Sequence, residues 1–212
     1  MEGVPVAVET VREVGPDTIA LELTTPEEFD ASPGEFVRLR AAVDGEEITR
    51  YYTLSSPSVT DTFEITVGVD PDGDLTPWLA GRDAGDTVYV EGPFGQVAYE
   101  DDGDVVTVAG GPGIGPAVAI AEAAHDAGHD AAVIYQDDEP AHTDRLEALD
   151  AAGVSVTVVD GDDDETLAKA VAAHLEDGQH YVFGFESFVS TVADAIEAAG
   201  GDPDDALIES FG

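Results

Sequence analysis

The chain has 212 residues, 43% of them hydrophobic, which is enough for one large domain or two small ones with packed cores. Its 47 acidic residues stand against 7 basic ones, a formal net charge of −40, and that balance excludes nucleic acid or anionic lipid held by phosphate neutralisation. With no cysteine, the chain carries no disulfide, thiolate zinc site or iron–sulfur cluster.

Residues 1–100 read as short alternating strands. Val4, Val6 and Val8 alternate, as do Ile19, Leu21 and Leu23, and further strands are expected at 36–40, 48–54, 63–67 and 88–90. Turn clusters separate them at Gly15-Pro16-Asp17, Ser32-Pro33-Gly34, Asp44-Gly45 and Asp70-Pro71-Asp72-Gly73. Six strands at this spacing predict a small antiparallel barrel. Residues 75–81 interrupt it with one helical turn, for which Thr76 suits the N-cap, Pro77 the first helical position and Gly81 the end. The exposed start of that turn is a candidate anion site.

From Asp104 the period changes. Strands are expected at 105–108, 131–136, 154–159, 181–183 and 207–208, with helices near 116–127, 144–151, 165–175 and 187–199. Regular strand–helix alternation predicts a doubly wound, five-stranded parallel sheet. The polar turn at 100–104 divides the chain into domains of 1–100 and 101–212, and the acidic run 160–165 reads as a solvated loop.

Residues 105–124, VVTVAGGPGIGPAVAIAEAA, give a strand, a glycine turn and a helix start. In that geometry free backbone N–H groups face an anionic ligand, and Gly111 and Gly113 let a pyrophosphate come close. Pro116 stands where the third glycine of G-x-G-x-x-G belongs. Taken alone, the stretch is read equally well as a tight turn packing a helix on a sheet.

Arg50-Tyr51-Tyr52-Thr53 places Arg50 and Tyr52 on one face of a strand. A guanidinium can clamp a phosphate, a tyrosine ring can lie on a flat heterocycle, and the adjacent hydroxyl can bond a ring edge. The other reading is a barrel strand whose arginine pairs with one of many carboxylates. His125 and His129 are four apart but straddle Gly128, so a solvent-facing helix end is expected rather than a metal site. Asp70 to Asp74 starts like a calcium loop without its closing glutamate and reads as a turn.

The acids are spread along the whole chain, which favours a protein working in concentrated salt over one with an acidic docking face. Such salt shortens the Debye length to about 3 Å at 1 M. No signal peptide or apolar run of about 18 residues is present, so a cytoplasmic protein without a membrane partner is expected.

Taken together, the motifs resemble the ferredoxin reductase-like flavoproteins. That family shows R-x-Y-[ST], a glycine-bearing loop with Ser or Thr at a helix start, G-P-[FVT]-G, and G-G-x-G-I-x-P. They stand here, in that order, as Arg50-Tyr51-Tyr52-Thr53, Gly73-Asp74-Leu75-Thr76, Gly92-Pro93-Phe94-Gly95 and Gly110-Gly111-Pro112-Gly113-Ile114-Gly115-Pro116. The resemblance implies a flavin domain followed by a nicotinamide dinucleotide domain. It further implies that Arg50 holds a flavin phosphate, Tyr52 packs on the isoalloxazine, and Thr53 bonds near the redox-active nitrogen. Thr66, Val67 and Gly68 would line the flavin, while Gly73, Leu75 and Thr76 would receive the pyrophosphate. Gly111, Gly113 and Ile114 would receive the nicotinamide dinucleotide, with Gly184 beside the nicotinamide. The terminal Glu209-Ser210-Phe211-Gly212 resembles the family's closing segment, with Phe211 either a flavin contact or core.

Two positions depart from the family. Pro112 replaces the threonine that often follows the double glycine, and Phe183-Gly184-Phe185 replaces C-G-P. After the second strand of this half stand Gln136-Asp137-Asp138-Glu139, and carboxylates there suit a free ribose hydroxyl and repel a 2′-phosphate. The expectation is therefore FAD with NAD(H) favoured over NADP(H). Electrons would pass between NAD(P)H and an external carrier such as ferredoxin, without a catalytic acid or base. An electron-transfer subunit of a larger complex, or a sensor module that binds flavin or nucleotide without turnover, are the alternatives.

Overall fold

Strand β1 (Val4–Gly15) is the seam of the first half of the molecule. Its opening residues pair antiparallel with β6 (Thr87–Phe94), and from Val8 it pairs with β2 (Thr18–Thr24), bending at a register shift between Val8 and Thr10. The sequence predicts only the part up to Val8. Beyond it Glu9, Thr10, Arg12 and Glu13 are exposed, and Val11, Val14 and Gly15 are only partly buried, so alternation fades and the strand is sustained mainly by backbone pairing with β2.

With β3 (Phe36–Val43), β4 (Glu46–Thr53) and β5 (Thr62–Gly68), the strand order is β4-β3-β6-β1-β2-β5. An antiparallel bridge from Leu54 to Ile65 joins the two edges, closing the expected six-stranded antiparallel barrel. Its interior is built from every second residue of each strand, among them Val8, Leu21, Leu39, Ile65 and Val88.

Helix α1 (Leu75–Ala80) seals one side of the barrel with Leu75 and Leu79. Its cap corrects the sequence reading. Asp74 is the N-cap, without a side-chain bond, which puts Thr76 and Pro77 inside the first turn. The Thr76 hydroxyl is taken up by the preceding loop, accepting from the Asp70 N–H at 3.0 Å. Short hydroxylated side chains readily make such local loop bonds in place of a cap.

The second half runs β7 (Val105–Gly110), α2 (Ile114–Ala127), β8 (Ala131–Gln136), α3 (Thr143–Ala152), β9 (Ser155–Val159), α4 (Asp164–Ala173), β10 (Gln179–Gly184), α5 (Glu186–Ala199) and β11 (Leu207–Ser210). The five strands are parallel, in the order β11-β10-β7-β8-β9. Helices α2 and α3 cover one face through Ile120, Leu146 and Leu149. Helices α4 and α5 cover the other through Leu167, Val171, Val192 and Ile196. Central β7 is therefore buried at every position. Helix α2 starts two residues before the expected Pro116, because a proline in the first turn lacks only an N–H that has no partner there anyway.

The computed structural model describes residues 3–211. Met1, Glu2 and Gly212 lie outside them, and with Gly212 the last residue of the expected closing segment. The α2–α3 face meets the barrel. His142 donates its backbone N–H to Val14 O at 2.7 Å, and the Arg145 guanidinium joins Glu122 at 2.6 Å to Glu64 at 3.3 Å. Among the described residues no helix is long and apolar enough to cross a membrane.

Candidate functional site

Where the two halves face each other lies a cleft of about 880 Å³, within the size range of small-molecule sites. Its barrel wall comes from Phe36 of β3, Arg50 to Thr53 of β4, and Thr66 and Gly68 of β5. The opposite wall comes from Pro112 and Pro116 around the glycine turn, Phe185 after β10, and Glu209 to Phe211. Asp17, Val69, Asp70 and Thr76 also line the cleft.

Of the residues expected in the site, Arg50, Tyr52, Thr53, Thr66, Gly68, Thr76 and Phe211 line this cleft. The remainder stand behind or beside it. Val67, Leu75 and Ile114 are buried in the cores. Gly73 closes the turn before α1, its N–H donating to Asp70 O at 3.0 Å. Gly111 and Gly113 form a 3-10 turn at the end of β7, and Gly184 ends β10 against the Phe188 ring.

Strand alternation explains the barrel wall. Ile65 and Val67 point into the core, so Thr66 and Gly68 point out toward the cleft. On β4 the Tyr52 ring is half-buried, and desolvation pushes its hydroxyl up to about 12 against the pull of the Arg50 charge. The phenol therefore stays neutral and presents a flat ring. Phe36 and Tyr51 meet edge to face at 5.8 Å, as do Phe185 and Phe211 at 6.1 Å, giving the cleft aromatic surface on both walls.

The two readings of the Arg50 tetrapeptide differ in whether its guanidinium has an acidic partner. The chain has 7 basic residues among 47 acids. Arg12, Arg38, Arg40, Arg82, Arg145 and Lys169 each stand beside a carboxylate. Among the described residues no carboxylate pairs with Arg50, whose Nη1 donates only to the neighbouring Thr49 carbonyl at 2.8 Å. A cation left unpaired in so acidic a protein, at the rim of a cleft, is available to an anionic ligand.

The glycine turn lies at the point where strand order reverses, since β8 and β10 flank β7 on opposite sides. Open α/β sheets bind ligands at that crevice, outside the carboxyl ends of the strands. Gly111 has φ +57° and open space where a Cβ would project, whereas a Cβ on Gly113 would sit 2.3 Å from Phe183 O. One glycine is needed for its backbone conformation, the other for close packing on β10.

Glu209 was not singled out from the sequence. Its carboxylate lines the cleft, accepts from Thr53 Oγ1 at 2.7 Å, and is raised above the usual carboxylate range by burial. The sequence marks it only as the first residue of the closing segment, one of 47 acids. Beside β8, Asp137 accepts from Tyr135 Oη at 3.1 Å and from Glu139 N at 2.9 Å, while Asp138 accepts from Gly161 N at 2.9 Å. These bonds order the acidic loop at the sheet's carboxyl edge. Among the described residues no cluster of three or more His, Asp or Glu side chains is placed to hold a metal ion.

Comparison with known proteins bears on the same features. Residues 5–99 match the family described as oxidoreductase FAD-binding domain. The glycine betaine monooxygenase reductase subunit of Chromohalobacter salexigens is 41% identical over 93 residues, covering 42% of this chain and 25% of that relative. The first curated relatives are much longer proteins, of which the matched segment spans 25% to 36%. Among solved structures, the flavohem-like FAD/NAD binding domain of a nitric oxide dioxygenase from Vibrio cholerae O1 biovar El Tor has a TM-score of 0.87 at 23% identity, covering 100% of both chains. A ferredoxin NADP+ reductase from Neisseria gonorrhoeae with bound FAD and NADP has a TM-score of 0.83 at 21% identity, covering 99% of this chain and 98% of that one. These two share the fold across both halves.

Proposed function

We propose that this chain is a ferredoxin reductase-like FAD-binding oxidoreductase, a reading supported by the FAD-binding domain match over residues 5–99, and that it holds FAD in the cleft and NADH at the glycine turn. Electrons would pass to an external one-electron carrier such as a ferredoxin. The observation that carries the reading is Arg50, the unpaired cation at the rim of an aromatic-walled cleft.

Arg50 would hold a flavin phosphate, and the Tyr52 ring would support the isoalloxazine. Thr53 and Thr66 offer hydroxyls to its polar edge, and Gly68 leaves room for close approach. Backbone of Gly73, Leu75 and Thr76 would meet the pyrophosphate. Gly111, Gly113 and Ile114 would receive the dinucleotide, with Gly184 nearby and Phe211 against the ring. The flavin, when bound, supplies the exchange between two-electron and one-electron chemistry. The chain's part is to bring two planar rings together and keep water out. Asp137, Asp138 and Glu139 favour a cofactor with a free ribose hydroxyl.

A reductase module within a larger assembly is the second reading, favoured by the greater length of the relatives and by the name of the first as a reductase subunit. The acid-rich surface fits work in concentrated salt. Titration of FAD into the apoprotein in molar salt, followed by quenching of flavin fluorescence, tests the reading. Stoichiometric binding is expected, and absence of binding refutes it.

A further inference from the structure

The loop before α3 places His142 between the two halves, fully buried and in the left-handed region at φ 53°. Its backbone N–H reaches Val14 O on β1, and its Nε2 lies 2.8 Å from Thr66 Oγ1 on β5. Thr66 in turn lines the cleft. The contact is close on every side. A Cβ on Gly15 would sit 2.7 Å from Ala141 Cα, and one on Gly115 would sit 2.4 Å from Thr66 Oγ1.

Nδ1 of His142 is buried without a partner among the described residues. A buried N–H left without an acceptor costs more than a bare lone pair, so the ring carries its proton on Nε2. Nε2–H then donates to Thr66 Oγ1, and the Thr66 hydroxyl acts as acceptor in that bond. Its own proton is free. Among the described residues no protein acceptor takes it, and Thr66 lines the cleft. Charging the ring is opposed by burial first and then by Arg145 on α3, with Arg12 on β1 adding to it and Asp144 opposing it; the His142 pKa falls to about 3.

We propose that His142 is a positioning residue for the cofactor wall: by donating to Thr66 Oγ1, it turns the Thr66 hydroxyl proton into the cleft as a hydrogen-bond donor to the polar edge of the flavin ring. The inference rests on the flavin reading above. A donor aimed at a ring that gains negative charge on reduction favours the reduced form. Removing it should move the oxidised-to-reduced ratio about tenfold, a shift of about 30 mV for a two-electron couple.

The test uses the flavin-loaded full chain with three variants: His142→Leu, His142→Gln and Thr66→Val. Glutamine can bring an amide N–H close to where Nε2 stands, and it shares the backbone strain of leucine at this position. His142→Leu and Thr66→Val should lower the potential of the bound flavin by similar amounts, with His142→Gln restoring it. The imidazole ¹⁵N shifts of His142 in the unmodified apoprotein provide an arm that needs no variant, and Nε2–H with a bare Nδ1 is expected throughout neutral pH. A Nδ1–H tautomer overturns the proposal, as does an unchanged potential in His142→Leu beside a changed one in Thr66→Val. Failure to take up flavin at all refutes the flavin reading and this one with it, whereas normal uptake with either of the other results refutes only the positioning role.

Discussion

Thr53 Oγ1 donates to Glu209 Oε1 at 2.7 Å, joining residues 156 positions apart across the cleft. The bond ties the end of β4 to β11, so the barrel wall of the cleft and the edge strand of the parallel sheet are set against each other at one point. Burial raises Glu209 above its ordinary value of 4.5, with the Thr53 bond pulling the other way. A carboxyl whose folded pKa is raised weakens the fold as pH climbs from the unfolded value through the folded one. Glu209→Gln keeps an acceptor for Thr53 and removes that cost. Urea unfolding should find the variant more stable than the parent near about pH 8, with the advantage gone near about pH 4. A variant less stable at the higher pH contradicts the assignment.

Arg50→Ala separates binding from stability. A hydrogen bond to a charged group contributes about 1.5–3 kcal/mol, so FAD affinity should fall roughly 10- to 100-fold. Because Arg50 has no carboxylate partner to abandon among the described residues, the melting temperature of the apoprotein should be unchanged. Equal flavin retention by the variant removes the phosphate role.

Gly115→Ala sets two effects against each other. Alanine gains roughly 1 kcal/mol over glycine in a helix. The new Cβ would lie 2.4 Å from Thr66 Oγ1 and 3.1 Å from Ser55 Cβ, and overpacking costs about 1–3 kcal/mol. Crowding wins, since the obstacle is the interface itself rather than a flexible tip. A melting temperature lower by a few degrees is expected, at roughly 2–4 °C per kcal/mol; a rise shows that the halves sit further apart.

Salt is the fourth lever. A net charge of −40 on a 212-residue chain repels itself over a Debye length of about 10 Å at 0.1 M and about 3 Å at 1 M. Thermal melting in increasing KCl should move upward through this range, roughly 2–4 °C for each kcal/mol of repulsion relieved. A flat dependence argues against adaptation to concentrated salt.

The fold was legible because periodicity survives where one face is buried. Val4, Val6 and Val8, then Ile19, Leu21 and Leu23, mark barrel strands, and the β-branched run at Val105 marks the sheet centre. Legibility failed where local chemistry competes. Thr76 looks like a cap but bonds Asp70, and β1 beyond Val8 has no fully buried residue, only the partly buried Val11, Val14 and Gly15. Much of the cleft wall could be named from motif order: Arg50, Tyr52, Thr53, Thr66, Gly68, Thr76 and Phe211 all reach it. His142 could not, nor could the part played by Glu209 within its closing segment, because their meaning comes from Thr66 and Thr53, 76 and 156 residues away. No window of sequence contains those pairs.

The most direct measurement is anaerobic titration of the FAD-loaded protein with NADH and, separately, NADPH, followed at the visible flavin band. The account predicts that one equivalent of NADH bleaches the yellow colour, with NADPH at least about tenfold less efficient because like charges at Asp137 to Glu139 oppose its extra phosphate. A flavin that stays oxidised under excess of both contradicts it, leaving a chain that binds the cofactor without reducing it.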